Sequence, residues 1–343
     1  MPEVLMAAAE GEHALYTNTL DTLGNDDTKH RGSVIMNSGD QMYWDATDAK
    51  SSDDMWFHVL MARNDGGGNS GTSSTFINIY DNTNQFMCGY RDNGNLNFGL
   101  TFRLKTRWAS SQGGGDSGNT GAFVYEFSDG EFIEFDIRVR ISTGTDANDT
   151  MTVDFYLNQQ LRETVVVVDA GGWLQAQRLV VTALHTNASM DTCNYQDIIV
   201  SDGVPTVGME LVTMVPAASG LYTAFTNNYT NLDEAGYDSN DLIYATAAAQ
   251  RESWICTTPV FDTSDKIIYG FVAQQVVQTD LAAIVTDFKP FLRIAATIYD
   301  GAALGANNLS PLSLIHVWTE NPDTLAPWIQ SDFDGLEVGL LTT

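Results

Sequence analysis

Phe132–Ile141 reads FIEFDIRVRI and Met151–Leu157 reads MTVDFYL. In the first stretch Ile133, Phe135, Ile137, Val139 and Ile141 fall on one side, and Glu134, Asp136, Arg138 and Arg140 on the other. Side chains alternate across a strand, so this pattern specifies a strand with one face on a core. The second stretch repeats it: Met151, Val153, Phe155 and Leu157 alternate with Thr152, Asp154 and Tyr156. The segment between them, STGTDANDT, is turn chemistry throughout. Asn158-Gln159-Gln160 then forms the tip of a hairpin that returns through Thr164–Val168. Long amphipathic strands joined by short turns predict an antiparallel sheet packed on one side.

The same reading extends outward. Ser33–Met36, Met55–Arg63, Thr75–Tyr80, Phe86–Tyr90 and Phe98–Leu104 are expected strands before this pair, and Arg178–Leu184 and Tyr195–Val200 after it. Two glycine-rich stretches, Asn64–Ser74 and Ser110–Gly121, are expected loops, long enough to be mobile or functional. Ser201-Asp202-Gly203-Val204-Pro205 marks a junction between a domain at 1–204 and a second, β-rich domain at 205–343, since proline interrupts pairing there. Expected strands in the second are Met209–Val215, Ile243–Thr246, Ser253–Thr257, Ile267–Val277, Phe291–Tyr299 and Leu314–Thr319, with GLEVGLLTT closing the chain as an edge strand. Helix signals are confined to Pro2–Ala14, Asp280–Asp287 and one turn within Thr324–Phe333. The expected fold class is all-β.

Composition narrows the function classes. The chain has 343 residues, 43% of them hydrophobic, enough for real cores. Sixteen basic residues against 44 acidic ones leave a net charge of −28. Binding nucleic acid needs clustered lysine and arginine at the phosphates, so no nucleic-acid partner is expected. Anionic lipid is disfavoured for the same reason. No apolar run approaches the roughly 18 residues of a membrane span. The opening MPEVLMAAAEGEH lacks a cationic start, so no signal peptide is expected. Cys88, Cys193 and Cys256 form no CxxC pair, and neither a zinc site nor a disulfide framework is expected.

Three candidate chemistries arise. Gly115-Asp116-Ser117-Gly118 copies a serine-protease nucleophile motif, and Val180–His185 a histidine motif. Their order is reversed, with Ser117 before His185, and a triad is defined by geometry rather than letters. Glu134-Phe135-Asp136 resembles the acidic strand of concanavalin-fold glycoside hydrolases. That strand needs a third acid where Arg138 stands, and without it the pair of carboxylates is incomplete. Glu134 and Asp136 are therefore expected on a solvated face with local ion pairs. Neither motif makes an enzyme, and a non-enzymatic chain is expected. The loops supply the third chemistry: Asp65, Asn69, Asp116 and Asn119 offer the hard oxygen ligands that calcium takes. No EF-hand spacing is present, and no other cofactor is expected. Trp108 and Trp173, beside the glycine-rich stretches, are candidate sugar-stacking aromatics. Trp56, within MWFHVLM, is expected in the core.

Phe132–Gly203 resembles the laminin-G-like, concanavalin-type jelly-roll sandwich, in the order EFIEFDIRVRI, MTVDFYLNQQL and the acidic exit YQDIIVSDGVP. In that family the hairpin is often written with Asp-Gly; here Asn158-Gln159-Gln160 takes its place. The C-terminal portion resembles a domain often encoded beside such sandwiches in tailed-phage structural genes, in GMELVTMVPAASGLYTAFT, NLDEAGYDSNDLIYA and TENPDTLAPWIQSDFDGLEVGL. The resemblance implies a jelly-roll sandwich followed by a second sandwich-like domain. It also implies a virion protein, in capsid decoration, tail or fibre, that assembles as a homo-oligomer with other virion proteins. The first domain is expected to face outward, with a host surface glycan as its contact, and the second to anchor. The alternatives are a carbohydrate-binding module and a degraded concanavalin-fold glycoside hydrolase.

Overall fold

The computed structural model describes residues 3–10, 24–26, 33–36, 41–45, 54–65, 75–81, 86–92, 102–106, 119–120, 131–142, 149–169, 176–182, 191–227, 229–232, 243–258, 267–279, 285–305 and 312–343. These residues form strands, turns and two short 3-10 turns, so the fold is all-β. No helix among them is long and apolar enough to cross a membrane. Two compact units divide the chain: Met1–Leu5 with Leu15–Glu210, and Met6–Ala14 with Leu211–Thr343. The first unit runs past the expected junction at 204/205, a point that matters for the site.

The strands up to the junction are β1 (Glu3–Glu10), β2 (Gly24–Asp26), β3 (Ser33–Met36), β4 (Gln41–Asp45), β5 (Asp54–Asp65), β6 (Thr75–Asp81) and β7 (Phe86–Asp92). They continue as β8 (Phe102–Thr106), β9 (Asn119–Thr120), β10 (Phe132–Ser142), β11 (Asp149–Leu157), β12 (Gln160–Asp169), β13 (Ala176–Thr182) and β14 (Asp191–Asp202). One sheet runs β12-β11-β10-β5-β14-β3-β2, with β1 also on β14; the other runs β4-β13-β6-β7-β8-β9. Asn158 and Gln159 make the hairpin turn with φ of 46° and 64°, the pair of positive values that matches the twist of two-residue hairpins.

The two sheets face each other through aromatic rings. Phe135 of β10 meets Phe76 of β6 at 5.5 Å and Tyr90 of β7 at 4.9 Å, and Tyr90 meets Phe155 of β11 at 5.4 Å. The Tyr90 hydroxyl, deep in this layer, donates to the Tyr156 carbonyl at 2.6 Å. Ile133, Ile137 and Val139, with Phe57, Val59 and Met61 of β5, complete the buried face that the alternation predicted.

The second unit holds β15 (Pro216–Thr223), β16 (Arg251–Cys256), β17 (Phe271–Val277), β18 (Asp287–Ile294), β19 (Thr297–Asp300), β20 (Leu304–Gly305), β21 (Leu312–Trp318) and β22 (Glu337–Thr342). One sheet runs β15-β16-β22-β18-β19 with β20 also on β18, and β17 pairs with β21. Phe271, Trp318, Trp328 and Phe333 form a core in which the Trp328 indole donates to the Trp318 carbonyl at 2.8 Å.

Several expectations change. Pro2–Ala14 was expected helical, yet Glu3–Glu10 pairs as β1. Met209–Val215 joins no sheet; pairing starts at Pro216, opposite Cys256. Ile243–Thr246 contributes a single bridge, Thr226 to Tyr244. Asp287 opens β18, whereas 280–284 lie outside the described residues. The chain's closing strand β22 is interior, between β16 and β18, with all six residues buried. The single helical turn does occur, at Gln330–Phe333.

Candidate functional site

Antiparallel pairing sets Asp136 of β10 opposite both His58 of β5 and Tyr156 of β11, and Arg138 opposite Trp56 and Asp154. These side chains share the sheet face turned away from the sandwich core. Sequence alternation predicts that this face is solvated. Only part of it is, because the stretch 203–210 covers the end that carries His58 and Asp136. Val204 and Thr206 are buried, and Asp136 and His58 are 0% and 1% exposed.

The cover is tied down by the charged groups beneath it. The Thr206 hydroxyl donates to Asp136 Oδ1 at 2.6 Å, and the Gly208 amide donates to Glu134 Oε1 at 2.7 Å. Gln159 Nε2 donates to Glu134 Oε2 at 3.1 Å. His58 Nδ1 lies 2.9 Å from Asp136 Oδ1 and 4.0 Å from Glu134 Oε1. Burial works against the charged imidazole of His58, but the Asp136 carboxylate, with smaller help from Glu134 and Asp197, outweighs it and holds the pKa above its ordinary value. For Glu134 burial is the largest influence and raises the pKa; Asp136 adds to it, while the Gly208 amide and His58 oppose it. Asp136 Oδ2 is buried without a hydrogen-bond partner. His58, Glu134 and Asp136 each offer one ligand atom, all within 4.8 Å of one another. This is the one group of its kind among the described residues.

Further along the same face the charges are paired. Arg138 meets Asp54 in a two-pronged pair at 2.7 and 2.6 Å, and Arg140 reaches Asp154 at 2.6 Å. The guanidinium of Arg138 lies 4.9 Å from the centre of the Trp56 ring, which in turn meets Tyr156 at 5.6 Å. Trp56 is buried as expected, but under this arginine rather than between the sheets. Arg138 thus fills the position of the missing third acid with a guanidinium committed to Asp54.

The expected rim sites fare differently. Asp65 ends β5 in one sheet and Asn119 opens β9 in the other, where only their backbone is described. Asn69, Asp116, Trp108 and Trp173 lie outside the described residues, as do Ser117 and His185. Sequence reasoning named Glu134 and Asp136 but not their partners. His58 and Thr206 stand 78 and 70 residues from Asp136, and no local spacing links them.

No family model and no curated protein matches the sequence. Solved structures similar to it include an endo-β-1,4-glucuronan lyase from the fungus Trichoderma reesei, at 8% identity and a TM-score of 0.40 over 60% of this chain and 98% of that one. The alginate lyase Aly36B is similar at 6% identity and a TM-score of 0.40, over 58% of this chain and 96% of its own. The receptor binding domain of botulinum neurotoxin D is similar at 9% identity and 0.38, over 58% of this chain and 49% of its own. Superpositions this loose transfer no substrate and no residue role.

They do correct one expectation. A non-enzymatic chain was inferred from Arg138 in the third-acid position and from Ser117 preceding His185. Those facts speak against a retaining glycosidase and a trypsin-like triad, whereas the similar structures include polysaccharide lyases. The exclusion of enzymes is withdrawn. The expected solvation of Asp136 fails as well, because a segment distant in sequence buries it.

Proposed function

We propose that the chain is a structural subunit of a tailed-phage particle, with the second unit anchoring and the sandwich of the first facing outward. The observation that carries this reading lies in the second unit. Two of the three sequence stretches that resemble phage structural proteins, Gly208–Thr226 and Thr319–Leu340, meet in one sheet, where β15 and β22 flank β16. Glu337 joins them. Its carboxylate accepts from the Leu221 amide and the Ser253 hydroxyl, each at 2.9 Å, and pairs with Arg293. Gly220 makes the room: a Cβ there would lie 2.6 Å from Glu337 Oε2. The resemblance therefore falls on residues that build a common structure rather than on scattered positions. An assembled subunit also suits β12, the terminal strand of its sheet among the described residues, which exposes Leu161 and Val166. Apolar sheet edges are natural places for neighbours to pair.

The test is the particle itself. Mass spectrometry of purified virions should find the chain as a multicopy component, and antibodies to the sandwich should label intact particles. Absence from particles overturns the proposal, and labelling confined to disrupted particles reverses the polarity.

A glycan contact for the first unit is supported by the outward sheet face, where Tyr156 is partly exposed and the Arg140 side chain is 40% exposed. An aromatic ring exposed on a sheet face suits stacking against a sugar. A glycan array read with the wild type and Tyr156→Ala tests this; equal signals from both remove it. Incubating the ligands found with the protein then shows whether any chain is cleaved.

A further inference from the structure

We propose that His58, Glu134 and Asp136 bind one divalent transition-metal ion of the zinc type, beneath the stretch 203–210. This proposal is independent of any role in a virion.

Charge comes first. Asp136 and His58 are buried, and the Glu134 side chain is 14% exposed. Two carboxylates beside one imidazole sum to a net negative charge even when the imidazole is protonated. A dication bound to the neutral imidazole leaves the group neutral, and burial penalises net charge severely. The second consideration is the unused donor capacity. Asp136 Oδ1 serves both Thr206 and His58, yet Oδ2 of the same carboxylate is buried with no partner. Buried polar atoms in folded proteins are nearly always satisfied, and an orphan beside two further ligand groups leaves a lone pair free for an ion.

Geometry is the third. Zinc takes ligands at about 2.1 Å, so tetrahedral ligand atoms lie about 3.4 Å apart. The candidate ligand atoms of the three residues lie within 4.8 Å of one another, with Glu134 Oε1 4.0 Å from His58 Nδ1, and a bound ion would replace the 2.9 Å hydrogen bond between His58 Nδ1 and Asp136 Oδ1. One nitrogen with two carboxylates favours zinc, manganese or iron over calcium and magnesium, which prefer all-oxygen shells. Outer partners are already in place: Thr206 holds one ligand carboxylate, and Gly208 and Gln159 hold the other. Such contacts orient ligands and tune affinity. Three protein ligands leave a fourth position for water.

The experiment uses the tag-free full-length chain, stripped with chelator and titrated with Zn²⁺ in excess Ca²⁺. The calcium occupies exposed carboxylates, which abound at a net charge of −28. One calcium-resistant zinc per chain is expected. X-ray absorption at the zinc edge should show one imidazole among oxygen neighbours. Thr206→Val should weaken binding roughly tenfold, and His58→Gln by about a hundredfold or more. Zinc fully displaced by calcium, a shell without imidazole, or unchanged affinity in His58→Gln overturns the proposal. Should His58→Gln fail to fold, the wild-type absorption spectrum decides alone.

Discussion

Asp136 in the first unit and Glu337 in the second are both buried carboxylates on central strands, yet they are treated in opposite ways. Glu337 spends both oxygens: Oε1 on Arg293, Oε2 on the Leu221 amide and the Ser253 hydroxyl. Asp136 concentrates its partners on Oδ1 and leaves Oδ2 with none. A carboxylate with both oxygens engaged by the protein is a fastener between strands. One left short, beside a histidine and a second carboxylate, has capacity for something the chain does not itself supply. The contrast separates a structural buried charge from a candidate site, although burial is nearly the same.

The contrast is tested most severely by removing the fastener. Glu337→Ala strands Arg293 and two donors, and should cost about 3 kcal/mol, the lower part of the range for breaking a buried pair because Arg293 is partly exposed. Urea unfolding measures it, and a loss under about 1 kcal/mol would erase the distinction. Replacing Glu337 and Arg293 together by Leu and Met should recover part of the loss. Next is Thr206→Val, which removes a hydrogen bond to a buried carboxylate and should cost about 2 kcal/mol in metal-free protein. A neutral effect would mean that the 203–210 cover is not held by Asp136.

Asp136→Asn comes third. It keeps the shape and the Thr206 bond but takes the charge from beside His58 and leaves an amide donor without an acceptor at the Oδ2 position, so the metal-free cost should be about 2 kcal/mol, close to that of Thr206→Val. A larger loss than for Glu337→Ala would invert the comparison. The smallest effect concerns the two cysteines whose side chains are described, Cys88 buried and Cys256 half-buried, one per unit. Burial pushes the Cys256 thiol up to about 12 and that of Cys88 higher still. Only the thiolate alkylates, and a raised pKa keeps it scarce at every pH below that value. Iodoacetamide at neutral pH should leave both untouched in the native protein, by peptide mapping. Rising urea should then release Cys88 and Cys256 at distinct concentrations if the units open separately, and together if they do not.

By itself the sequence determined which faces of the first unit's long strands meet its core. The strict alternation of β10 and β11, the Asn158-Gln159 turn and the glycine-rich breaks fixed which residues face the core, since a strand's period of two admits one burial pattern. The second unit was less legible. GLEVGLLTT carries no alternation because β22 is buried on both faces, and the strand expected at Met209–Val215 ends where pairing begins, at Pro216. Glu134 and Asp136 were visible as an acidic pair, but their environment was not. That environment depends on a cover from residues 203–210 and on a histidine from β5, both brought in by chain crossovers of 70 residues or more. Periodicity encodes which face of a strand turns from the core. Whether another segment then lies across that face is decided by packing at long range, and here packing turned an expected solvated ion pair into a buried group with one oxygen unspent.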